Sequence, residues 1–109
     1  MDYADLSDRV RMLSEGLPDD TREHALRVIE ICRALAQRPR VELVLVPNEA
    51  DLALRRELGK LVELLGRRHS RALPAAALGR AALADLAGDH GVFQQALRDS
   101  AAKLALLGL

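Results

Sequence analysis

The feature that most constrains this chain is its reliance on leucine and alanine. Of its 109 residues, 22 are Leu and 18 are Ala, against 7 Val and 2 Ile. It has one Tyr, one Phe and no Trp. A core drawn from this set packs Leu against Leu, with Ala allowing close approach. Ala and Leu lead the helix propensity scale, so the composition points to packed helices and away from an all-β sandwich. Hydrophobic residues make up 50% and charged residues 29%, the balance of a folded chain rather than a disordered or collagen-like one. The length suits a single helical domain, 1–109, since domains commonly run to about 100–150 residues.

The apolar residues recur at helical spacing. Tyr3, Leu6, Val10, Leu13 and Leu17 follow a 3-4-3-4 pattern, which puts them on one stripe of a helix over 3–15. Gly16 and Pro18 end it. Asp20 and Glu23 fit a capping box, opening a second helix that runs to about Gln37. Its inner face is Ala25, Val28, Ile29, Cys32, Leu35 and Ala36, widened by Leu26 and Ile31, which predicts a central position. A third helix, capped by Asn48, carries Leu54, Leu58, Leu61, Val62 and Leu65 and runs to about Leu65, with Gly66 as its C-cap. Asp51 with Arg55 and Glu63 with Arg67 stand four apart, where opposite charges attract. Pro74 starts a fourth helix, about 75–87, closed by Gly88. Asp89 caps a fifth, about 91–107, with Val92, Phe93, Ala96, Leu97, Ala101 and Leu104 inward. The fold expected is mainly α, a compact bundle of about five helices.

One segment breaks the helical pattern. Val41-Glu42-Leu43-Val44-Leu45-Val46 is short, β-branched and bracketed by Pro39 and Pro47, which reads as a strand or extended segment at 41–46. A lone strand leaves backbone donors and acceptors without a ladder. It would pair with its twin in a homodimer, add to a partner's sheet, or run as an extended connector.

Lys+Arg and Asp+Glu number 16 each, so the formal net charge is zero. The neutrality is local as well as global: residues 1–40 hold seven bases and eight acids, 41–70 five and five, 71–109 four and three. Such a balance provides no general attraction to nucleic acid. The basic residues are 14 Arg and 2 Lys, which reads as GC-rich bacterial coding. One cysteine, Cys32, allows no internal disulfide and fits a reducing cytoplasm. The N-terminus is acidic, without a signal-peptide pattern, and no apolar run approaches the ~20 residues that cross a bilayer.

Little here points to catalysis. His24, His69 and His90 lack a second ligand at metal-binding spacing, and no nucleophile elbow or glycine-rich phosphate loop is present. The expectation is a protein without metal or cofactor, with Cys32 as a core residue. The one local charge excess is Arg67, Arg68, His69 and Arg71, followed by Arg80. The cluster suits a solvated helix end or a contact to phosphate or an acidic partner.

Asp85-Leu86-Ala87-Gly88-Asp89-His90-Gly91-Val92 resembles the turn of bacterial helix-turn-helix regulators, in which an acid-Leu-Ala stretch ends in Gly-Val. Gly108-Leu109 falls where winged-helix members of that group carry Gly-Leu before the wing. The resemblance covers residues 75–109 and implies a recognition helix at 92–105. Gln94, Gln95 and Arg98 would then face the major groove, where Gln reads adenine and Arg reads guanine. Arg67, Arg68, Arg71 and Arg80 would meet phosphates. Asp89 and Asp99 place negative charge beside that face.

Two functions follow. One is a non-catalytic interaction or adaptor module that self-associates as a homodimer. Its contact residues would be Val41, Leu43, Val44, Leu45 and Val46 on the strand edge, with Leu106, Leu107 and Leu109 at the apolar C-terminus. The other is a small DNA-binding regulator using residues 75–105.

Overall fold

The structure, a computed structural model, describes residues 3–38, 49–68 and 70–108, and of Arg68 the backbone only. Five α-helices account for most of them: α1 (Tyr3–Ser14), α2 (Asp19–Ala36), α3 (Glu49–Arg68), α4 (Leu73–Ala87) and α5 (His90–Leu106). A single 3-10 turn, Ser70–Ala72, leads into α4. The mainly α bundle read from composition and periodicity is the fold. The strand candidate Val41–Val46 lies outside the described residues, among which there is no strand.

The helix at the centre is α4, not α2. Pro74 through Gly79, then Ala81, Ala82 and Ala84, are all buried. A helix that is apolar over most of its surface belongs in a core, with Arg80 as its exposed charged residue, and small side chains let several neighbours approach it at once. All four other helices pack on α4, with α5 and α3 making the broadest interfaces. The Arg55 guanidinium of α3 donates to the Leu86 carbonyl of α4, and Val62 of α3 lies against Gly79. Contacts that advance along α3 therefore step back along α4, so the two run antiparallel. At the other α4 interface, Ser100 Oγ donates to the Pro74 carbonyl at 2.9 Å. The start of α4 thus meets the second half of α5, and this pair is antiparallel too.

Gly79 marks the tightest approach. A Cβ there would sit 2.7 Å from Val62 Cγ2 and 3.7 Å from both Val28 methyls, so α2, α3 and α4 converge where there is no side chain. On the opposite flank, α1 packs on α2 and reaches α5 through Tyr3 and Phe93. The Tyr3 and Phe93 rings meet edge to face, with centroids 4.8 Å apart. Such pairs contribute roughly 0.5–1.5 kcal/mol beyond the area they bury. This pair joins α1 to α5.

Several helix ends follow local chemistry. Gly88 closes α4 at φ +73°, a left-handed conformation that suits glycine. Asp89 caps α5 by accepting from the Val92 N–H at 3.1 Å. Others differ from expectation. Helix α2 begins two residues early, at Asp19, with Pro18 rather than Asp20 at the N-cap position and no side-chain cap. The Asp20 carboxylate accepts from the Thr21 N–H and hydroxyl. Helix α3 continues through Gly66 to Arg68, with Gly66 on its exposed side and no neighbour within 4 Å of where its Cβ would stand. Ala36, expected inward, is exposed on the last turn of α2.

Candidate interaction surface

The exposed large apolar side chains lie in distinct places. Leu106, on the last turn of α5, is 86% exposed, while Leu107 tucks partly against the core. The helix ends there because Leu107 N–H turns back to the Leu104 carbonyl at 3.1 Å and Gly108 N–H to that of Ala105 at 3.0 Å. Gly108 takes φ +82°. Of the partner-binding residues expected from sequence, the structure therefore places Leu106 at the surface and Leu107 half inside. Val41, Leu43, Val44, Leu45, Val46 and Leu109 lie outside the described residues.

A second apolar surface was not foreseen. Between α1 and α2 lies a hollow of about 280 Å³ lined by Arg11, Leu26, Ile29, Glu30 and Arg33. Leu26 is 40% exposed, and Met12, next in sequence to Arg11, is 70% exposed. Leu26 was expected to widen the inner face of α2, but it stands off the buried line of Ala25, Val28, Ile29, Cys32 and Leu35. Met12 stands off the Tyr3–Leu6–Val10–Leu13 stripe in the same way. The signal in the sequence is an apolar residue out of register with its own helix.

Charges around this surface are unevenly paired. Arg33 contacts Asp8 across the helices at 2.6 Å. Arg27 holds Glu57 of α3 through two hydrogen bonds of 2.5 and 2.8 Å and also approaches Glu30 at 3.2 Å. The bond from Arg27 holds the Glu57 carboxyl below its ordinary range, against the opposing effect of partial burial. Arg11 is exposed and makes no ion pair among the described residues.

The residues read as a nucleic-acid face are only partly brought together. Gln94, Gln95 and Arg98 are exposed on α5, the two glutamines adjacent in sequence and Arg98 about one turn further on. Arg67 is paired with Glu63 on its own helix at 2.7 Å, as the spacing predicts. Arg80 approaches Asp99 at 3.6 Å, and Lys103 closes on the same carboxylate at 2.6 Å. Arg71 lies by the α1–α2 turn, its guanidinium 3.5 Å from where a Gly16 Cβ would stand. The side chain of Arg68 and the whole of His69 fall outside the described residues. Val92, expected inward in the helix-turn-helix register, is 53% exposed.

The described residues include no group of three or more His, Cys, Asp or Glu side chains that could hold a metal ion. Cys32 is fully buried, its thiol directed at the Leu78 carbonyl 3.7 Å away. Burial, with a smaller contribution from the Asp85 charge, pushes this thiol up to about 12, so it stays protonated and unreactive at neutral pH. Among the described residues no helix is long and apolar enough to cross a membrane. Comparison of the chain with family models, with curated proteins and with solved structures found no match.

Proposed function

We propose that this protein is a non-catalytic interaction module that self-associates, with a homodimer as its smallest product. The observation that carries this reading is Leu106, an 86% exposed leucine on a helix end. Burying one leucine side chain is worth about 1.5–3 kcal/mol, so a contact that covers it gains a sizeable anchor. The apolar run Val41–Val46 supports the same reading from sequence, since an extended β-branched segment gains backbone hydrogen bonds by pairing with a second chain.

Sedimentation velocity from about 1 to several hundred micromolar tests the proposal. The expected result is a weight-average mass that rises with concentration toward that of a dimer or above. A strict monomer throughout overturns it.

One observation favours the DNA-binding alternative. Asp99 would repel a phosphate backbone, but Arg80 and Lys103 both engage it, while Gln94, Gln95 and Arg98 are exposed together. That reading expects binding to duplex DNA that weakens steeply with salt and is lost on Arg98→Ala. No binding to a random duplex pool at low salt refutes it. It also leaves Arg80 as a partner of Asp99 rather than a free phosphate contact.

A further inference from the structure

We draw no further inference here: the strongest candidate, the apolar end of α5 where Leu106 stands exposed, belongs to the self-association already proposed, and nothing in the structure shows what covers it.

Discussion

Replacing Gly79 by alanine sets two known effects against each other. In a helix interior, Gly→Ala gains about 0.8–1 kcal/mol of propensity. At Gly79, however, the new methyl would come 2.7 Å from Val62 Cγ2 and 3.7 Å from the Val28 methyls. Val62 is β-branched and held near one χ1 rotamer on α3, so relief requires a strained rotamer or a shift of α3 away from α4. Overpacking of this kind costs roughly 1–3 kcal/mol. The clash therefore outweighs the propensity gain, and Gly79→Ala is expected to destabilise the protein by about 1 kcal/mol. In a Val62→Ala background the obstructing methyls are gone, and the same change should instead stabilise by up to about 1 kcal/mol. Urea denaturation followed by circular dichroism at 222 nm measures both. With a urea m-value of about 1–3 kcal/mol/M, a 1 kcal/mol effect moves the midpoint by roughly 0.3–1 M. All four members of the cycle must be compared at one low protein concentration, since association adds apparent stability. If Gly79→Ala stabilises equally in both backgrounds, the helices do not converge at Gly79 and the reasoning fails.

Two further predictions concern titrating groups. The Glu57 carboxyl is held below its ordinary range by Arg27, so its stabilising contribution is present in full above the unfolded carboxyl value of about 4.3. That contribution is lost as pH falls through the lower folded value. The pair is about two-fifths exposed on each side, so solvent screening limits it to about 0.5–1 kcal/mol. Glu57→Gln should lower stability by that amount at pH 7 and by almost nothing at pH 2.5, and equal losses at both would exclude the pairing. Cys32, buried with its thiol pushed up to about 12, should resist a thiol reagent at pH 8 in the native state and react within seconds in urea. Rapid labelling of the native protein would contradict the packing of α2 on α4.

The sequence carried the helices because their signals are local. The stripe Tyr3–Leu6–Val10–Leu13, the stop at Gly88 and the cap at Asp89 each depend on neighbours within about four residues. The Glu63–Arg67 pair is readable for the same reason. Gly66 was misread because a helical glycine and a C-capping glycine are the same letter, and only the continuation of α3 to Arg68 distinguishes them. The arginine contacts between helices were not legible. Glu57 lies 30 residues from Arg27, and Leu86 lies 31 from Arg55, so no periodicity could pair them. The α1–α2 hollow belongs to neither helix alone, which is why Leu26 reads in sequence as part of the inner face of α2.

Leucine and alanine by themselves determined that this chain is a helical bundle, because propensity and a 3.6-residue apolar period leave little else for such a composition. Which helix lies at the centre was a tertiary decision. A strongly amphipathic helix such as α2 looks central in sequence, yet its polar face needs water. The alanine-rich α4 has only a narrow polar side, at Arg80 and Asp85, and with glycine at its crossing point it can be approached from several directions at once. The same three-dimensional arrangement leaves Leu106 outside and forms a hollow between α1 and α2, because both depend on where helices end and cross rather than on how each one reads alone.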